Sequence, residues 1–249
     1  MIKNVRLNKI IDIVKLNGGN MTTSEIASTL GVSEVTIRRD LKELEAQGKI
    51  KREHGGATSI ESPKRIEFST DEKMLLNIDK KEIIGKKLGN LIPNNSTIFL
   101  GAGTTLLLSI PYLANKHLTF ITNSYPAFQF LLKYDTRVIL TAGELYKKTG
   151  EFLGKIAEKS FEDINIDYAL CSTNGISGNK VTTSNSQQGS LQSTAMSCSN
   201  KKIIVADTSK MGTLDVITFS TLDDFDLLVS DDDWNENIKR KYSRYIEIK

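Results

Sequence analysis

The chain has 249 residues, 39% hydrophobic and 25% charged, with 33 Lys and Arg against 30 Asp and Glu for a formal net charge of +3. That length fits two domains, the larger able to bury roughly 70% of its unfolded surface without a metal or disulfide staple. No apolar run nears the roughly 20 residues that span a bilayer, and two cysteines and two histidines are too scattered for a metal site, so neither membrane, metal nor cofactor is expected.

Residues 1–16 mix Lys, Arg and Asp with spaced apolar residues, unlike a secretory signal. The expectation is a cytoplasmic protein in which Cys171 and Cys198 stay reduced. Residues 1–58 hold ten Lys and Arg against seven Asp and Glu, and the remainder holds 23 of each, so the whole positive excess lies in the first quarter. That directs any nucleic-acid interaction to the N-terminus.

Val5, Leu7, Ile10, Ile11, Val14 and Leu16 recur at helical spacing and predict a helix over 4–17, ended by Asn17, Gly18, Gly19 and Asn20. A second helix starts near Thr22, which with Glu25 matches a capping box; Ile26, Ala27 and Leu30 form its inner face. Gly31, Val32 and Ser33 make a tight turn, and Ser33 is placed to cap a third helix over 34–47 with Ile37, Leu41 and Leu44 inward and Gly48 as its stop. Residues 49–53 alternate as a short strand, and residues 54–57 turn. This order is that of a winged helix-turn-helix over residues 1–58.

Residues 59–79 are polar, contain Pro63 and read as a linker, with some helix near 72–76. A helix follows over about 80–91, and then strands alternate with helices through residue 249. The strands are expected at 97–100, 118–122, 137–140, 168–172, 202–206 and 226–230. Near-continuous apolar runs alternating with helices predict a doubly wound, mostly parallel α/β sheet.

With Ile37, Leu41 and Leu44 inward, the third helix turns Val35, Thr36, Arg38, Arg39 and Lys42 outward. A helix fits the major groove of DNA, where Arg pairs with guanine and Thr meets a thymine methyl or a phosphate. Thr22, Thr23 and Ser33 sit at helix starts suited to phosphate oxygens, and Lys51, Arg52 and His54 lie in the wing. The competing interpretation makes Arg38 and Arg39 solvated charges paired with Asp40 or Glu43.

The run Val32-Ser33-Glu34-Val35-Thr36-Ile37-Arg38-Arg39-Asp40-Leu41, then Leu44, Gly48 and Arg52-Glu53-His54-Gly55-Gly56-Ala57, resembles the signature of the DeoR family of bacterial regulators. The resemblance implies double-stranded operator DNA as a partner, repression as the usual mode, and a sensor domain similar to sugar-phosphate isomerases.

In the second domain the strand at 97–100 runs into Gly101-Ala102-Gly103-Thr104-Thr105 and an apolar helix. Small residues admit a ligand close to the backbone, and N–H groups at a helix start favour an anion. Further polar groups follow other strands: Asn123 and Ser124, Gly143 and Glu144, Asn174, and Asp207-Thr208-Ser209-Lys210, where Lys210 offers a counter-charge. Such ends gather into one cleft in a parallel sheet. The family resemblance implies a phosphorylated sugar there, its phosphate on the Gly-Thr-Thr loop. The pattern around Gly101 and over 152–157 is most similar to members whose implied inducer is tagatose 6-phosphate.

The chain departs from the family where Ala142 precedes Gly143, and where Gln187, Gln188 and Gln192 replace charged residues. A homo-oligomer, dimer or tetramer, is expected, as is a regulator without enzyme activity. The alternative is a sugar-phosphate isomerase with a DNA-binding appendage, for which Glu144 and Asp207 are the carboxylates at the expected strand ends.

Overall fold

The computed structural model describes residues 3–17, 19–53, 55–60 and 68–249. The chain divides into two units, Met1–Leu76 and Asn77–Lys249.

The first unit carries α1 (Lys3–Leu16), β1 (Asn20–Thr22), α2 (Thr23–Leu30), α3 (Glu34–Ala46), β2 (Ile50–Glu53), β3 (Gly56–Ser59) and α4 (Thr70–Met74). The Thr22–Glu25 capping box forms as expected and fixes the start of α2. Ser33 caps α3 by accepting from the Thr36 N–H. The strands make a three-stranded antiparallel sheet in the order β1-β3-β2. β1 lies where the sequence predicts only the stop after the first helix and the start of the second; it pairs because residues 20–22 run extended into the cap of α2. Leu7, Ile10, Val14, Ile26, Ile37, Leu41, Leu44 and Ile50 close over one core. The expected linker contains α4, started by a second capping box between Ser69 and Glu72, and Leu76 packs into this core. Pro63 lies outside the described residues.

The second unit begins with α5 (Ile78–Leu91) and continues through β4 (Thr97–Leu100), α6 (Thr104–Leu113), β5 (Thr119–Thr122), α7 (Tyr125–Leu131) and β6 (Arg137–Leu140). Then come β7 (Glu144–Tyr146), β8 (Glu151–Leu153), α8 (Lys155–Lys159), β9 (Ile166–Ser172), β10 (Gly175–Ser177) and β11 (Lys180–Thr183). The chain ends with α9 (Ser186–Ser197), β12 (Ser199–Val205), β13 (Ile217–Thr221), β14 (Leu227–Val229) and α10 (Glu236–Tyr242).

All six expected strands are present and form one parallel sheet in the order β14-β12-β9-β4-β5-β6. Alternate strand residues face opposite sides. Ile98, Leu100, Phe120, Leu170, Ile203 and Val205 join Ile84, Leu88, Leu106 and Ile110 in one core. Phe99, Ile121, Ala169, Cys171 and Ile204 join Ala157, Leu191, Ala195 and Tyr242 in the other. Burial on both faces explains the unbroken apolar runs in the sequence. Each fully buried Leu, Ile, Val or Phe among them contributes roughly 2 kcal/mol. The sequence reading missed two smaller sheets, the β7-β8 hairpin and the antiparallel β10-β11-β13.

From β4 the chain winds outward through β5 to β6, then returns to the far side of β4 and winds through β9, β12 and β14. The loops after β4 and β9 therefore diverge, and this switch point is where open parallel sheets take a ligand.

Candidate functional site

On α3 the inward set is as expected, and Val35, Arg38, Arg39 and Lys42 are exposed. Arg38 reaches Glu34 one turn back at 2.9 Å. This pair is open to solvent and therefore weak, so Arg38 is easily drawn to a stronger anion. Arg39 makes no ion pair or hydrogen bond among the described residues. Its expected competitors are engaged elsewhere. Asp40 is buried and takes two hydrogen bonds from Arg6 of α1, at 2.6 and 3.2 Å. Glu43 pairs with Lys3 at 2.6 Å. The geometry thus leaves Arg39 exposed on a rod whose angle to α1 is fixed by the Arg6–Asp40 fork.

Removing one partner of a buried pair leaves a charge without compensation. We expect Asp40→Ala to lower the unfolding temperature of the first unit by about 5 °C or more, followed by circular dichroism. An unchanged transition would show that the fork does not fix α3.

The remaining DNA-facing candidates divide. Ser33 is exposed, its hydroxyl 3.0 Å from that of Thr36. Lys51 and Arg52 are exposed on β2, Arg52 lying 3.6 Å from Glu45. His54 lies outside the described residues. Two expectations are corrected. Thr23 is buried, and its N–H donates to the Gly55 carbonyl at 2.7 Å, so its side chain does not present itself to a phosphate. The Thr22 hydroxyl donates to Glu25 at 2.8 Å, and that carboxylate occupies the position an anion would take at the start of α2.

In the second unit Gly101–Thr105 lies at the switch point. The Gly101 N–H donates to the Leu170 carbonyl at 3.0 Å, drawing the loop against β9. A Cβ on Gly101 would stand 2.9 Å from that oxygen. Gly103 has φ +137°, and a Cβ there would stand 2.8 Å from the Ser172 hydroxyl, which donates to the Ala102 carbonyl. Both positions therefore require glycine. Gly103 starts α6 with no side-chain cap, leaving the first-turn N–H groups open, and Thr104 and Thr105 are buried beside them. That is a cradle for an anion.

Asn123 and Ser124 follow β5. Ser124 accepts from the Ala127 N–H and starts α7. Asn123 is buried and turns its amide N–H to Glu151 at 3.4 Å. Glu151, which the sequence pattern did not single out, is a buried carboxylate on β8, and its backbone pairs with that of Ser124 in a β-bridge. Its second oxygen accepts from the Gln188 amide at 2.9 Å. The Gln188 carbonyl oxygen in turn accepts from the Thr183 and Ser184 hydroxyls, at 3.0 and 2.7 Å. One turn along α9, Gln192 accepts from the Ser172 N–H at 2.8 Å and approaches Gly101. Two of the three glutamines that depart from the family pattern thus fasten α9 to β8 and β9.

Glu144 opens β7, is exposed, and lies across from Leu153, outside this buried cluster. Gly143 has φ +127° and packs against Ala157. The signal for Glu151 was the period of two over 151–153, which turns it to the same face as buried Leu153.

Asn174 follows β9, where its amide donates to Asp215 at 2.8 Å. Lys210 ends the turn after β12, beside buried Asp207. Burial alone would push the Asp207 carboxyl up, but the Lys210 charge, the Ser209 hydrogen bonds and the Lys81 charge outweigh it and hold it below the usual range. Its contribution to stability is present at neutral pH and is lost as pH falls through that depressed value. Asp207 also accepts from Asn77 at 3.2 Å, and Lys80 donates to Thr208 at 3.0 Å, so the Lys210 turn is tied to the first residues of this unit. Of the two carboxylates of the isomerase alternative, Asp207 is enclosed and Glu144 is exposed.

No helix among the described residues is long and apolar enough to cross a membrane. Comparison with known proteins agrees along the chain. A family model described as the DeoR-like helix-turn-helix domain matches residues 6–63, and one described as the DeoR C terminal sensor domain matches residues 76–232. The whole chain is 35% identical to the lactose phosphotransferase system repressor of Streptococcus mutans, covering 99% of that protein. It is 34% identical to the proteins of that name from Staphylococcus epidermidis and Lactococcus lactis, again over the whole chain and over 99% and 98% of theirs. Among solved structures, ribose 5-phosphate isomerase A from Methanocaldococcus jannaschii matches at TM-score 0.42 and 17% identity, over 54% of this chain and 55% of that one. The eIF2B beta subunit from Chaetomium thermophilum matches at 0.46 and 10%, over 70% and 55%.

Proposed function

The chain belongs to the DeoR family of transcriptional regulators, with a DNA-binding helix-turn-helix domain and a small-molecule sensor domain, and from that premise we propose that it represses a carbohydrate-utilisation operon until a phosphorylated sugar binds the sensor. It is a regulator, not an enzyme.

The observation that carries the sensing half is the uncapped start of α6 behind Gly101–Thr105 at the switch point of the sheet. A phosphate dianion there meets several N–H donors and the positive end of a helix. In this reading Gly101, Ala102, Gly103, Thr104 and Thr105 hold the phosphate, Asn123 and Ser124 line the neighbouring wall, and Lys210 adds charge. Arg39, Arg38, Val35, Thr36, Ser33 and Lys42 read or grip the operator, with Lys51 and Arg52 on its flank. A homodimer or tetramer then reads half-sites one helical turn apart or multiples of it. Tagatose 6-phosphate is the first inducer to test, since the full-length relatives are named for a lactose phosphotransferase system.

An effector shifts DNA affinity only by binding two states of the protein unequally. The test selects a preferred duplex from a random pool and titrates the complex with hexose and pentose phosphates. At least one should weaken operator binding by about 10-fold or more. No change with any of them would overturn the sensing half and leave the DNA-binding half standing.

A further inference from the structure

We propose that Asn77 is a two-position switch that passes the effector signal to the DNA-binding unit. Held by the turn that carries Lys210, it keeps one backbone conformation; released from that turn, it adopts another that caps α5. The effector's part rests on the reading of Lys210 given above, and the switch itself does not.

The chain passes from the first unit to the second at the bond between Leu76 and Asn77. Leu76 is buried in the core of the first unit. Asn77 stands immediately before α5 with φ +52° and ψ +39°. That is the left-handed region, which Asn enters more readily than most residues but still at a cost.

Asn favours helix starts because, from extended backbone, its side-chain oxygen accepts from an open N–H of the first turn. Ser33, Ser69, Ser124, Asn185 and Asn235 all start helices in this way. Asn77 is not extended and makes no such cap. Its amide donates instead to Asp207 at 3.2 Å and to the Ser209 hydroxyl at 3.1 Å, 130 and 132 positions away.

Two conformations therefore compete for one residue. In the left-handed one, two hydrogen bonds to the Lys210 turn offset the backbone cost. In the extended one, those bonds are given up and the side chain caps α5, as Asn185 caps α9 by accepting from the Gln188 N–H at 2.9 Å. The two lie in separate wells of backbone space, so the change between them is discrete. It redirects the chain at the peptide bond that joins Asn77 to Leu76.

The effector acts on the acceptors. The Lys210 N–H donates to the Asp207 carbonyl at 3.0 Å, so the lysine and the groups that hold Asn77 share one turn. Burial would raise the Asp207 carboxyl, and the Lys210 charge leads the groups that hold it down. A phosphate that draws the Lys210 ammonium to itself takes that charge from Asp207 and pulls on the turn, and both loosen the hold on Asn77. The signal is then a shift of population between two conformations that the effector binds unequally.

Two substitutions bias the switch in opposite directions. Asn77→Ser lacks the amide, disfavours the left-handed region and caps well, so it favours release. Asn77→Gly enters the left-handed region without strain and has no side chain to cap α5 or to feel the turn. The full-length variants are titrated with the selected operator by anisotropy, with and without tagatose, fructose and glucose 6-phosphates, whose direct binding is measured by calorimetry. Asn77→Ser should weaken operator binding about 10-fold with no sugar phosphate present. Asn77→Gly should hold operator within about 3-fold of wild type and bind sugar phosphate within about 3-fold. The sugar phosphate that weakens wild-type operator binding about 10-fold or more should weaken this variant's less than about 3-fold. A merely structural role moves both variants alike, so equal behaviour of the two overturns the switch. Loss of sugar-phosphate binding by Asn77→Gly also overturns it, by placing Asn77 in the effector site itself. Should Asn77→Ser not fold by circular dichroism, retained release in Asn77→Gly overturns the switch and lost release upholds it. If no sugar phosphate releases the wild-type operator, the sensing reading fails and Asn77→Ser still decides: weakened operator binding upholds the switch, and wild-type affinity overturns it.

Discussion

Arg39→Ala should weaken binding to the selected operator by about 100-fold while leaving the melting temperature unchanged. A bidentate arginine–guanine contact is worth roughly 1–3 kcal/mol of discrimination, and an oligomer loses it in each half-site. Arg39 supports no other group: it is exposed, and Asp40 and Glu43 are held by Arg6 and Lys3. Surface substitutions of that kind change stability by about 0.5 kcal/mol or less. Arg39→Lys separates two ways of acting. A lysine restores a phosphate contact but not a forked pair with guanine, so it should recover little of the specific affinity. Anisotropy titrations against operator and scrambled duplex, at two salt concentrations, measure both. If Arg39→Ala binds operator as wild type does, α3 is not the reading helix. If operator and scrambled duplex lose equally, Arg39 grips phosphate alone.

Gly103→Ala should yield a repressor that holds its operator and no longer responds to effector. The added Cβ strains a residue at φ +137° and stands 2.8 Å from the Ser172 hydroxyl. The loop then yields, and the N–H groups at the start of α6 lose their common aim. Hydrogen bonds to a charged group contribute roughly 1.5–3 kcal/mol each, so losing one or two raises the effector concentration for half-release by about 100-fold. Operator affinity without effector should stay within about 2-fold of wild type, since Gly103 belongs to the second unit. An unchanged effector response would remove the phosphate from this loop.

Much of this was legible in the sequence because the physics is local. Thr22 and Glu25 announce a cap by spacing alone, and the structure forms it. The runs at 98–100 and 203–205 are apolar throughout because helices cover both faces of their strands. What stayed hidden depends on long-range packing. Arg38 and Arg39 stand beside Asp40 in the sequence, yet neighbours on a helix point apart, and Asp40 meets Arg6 from 34 positions away. Glu144 drew attention because it follows a strand, whereas the period of two that marks Glu151 spans only three residues after Lys147 and Lys148. In the β7-β8 hairpin, Glu144 is exposed and Glu151 is buried. Gln188 and Gln192 read as lost charges, and their role as a brace on α9 emerges only from their partners.

Dimethyl sulfate footprinting of the selected operator probes the claim beneath the rest, that α3 lies in the major groove. Guanine N7 is on the floor of that groove and adenine N3 in the minor groove. Two patches of guanine N7 protected by wild type, a helical turn or a multiple apart, and exposed again in the Arg39→Ala complex are the expected result. A tightly bound operator with every guanine N7 open to methylation, or protected only at adenine N3, would contradict it.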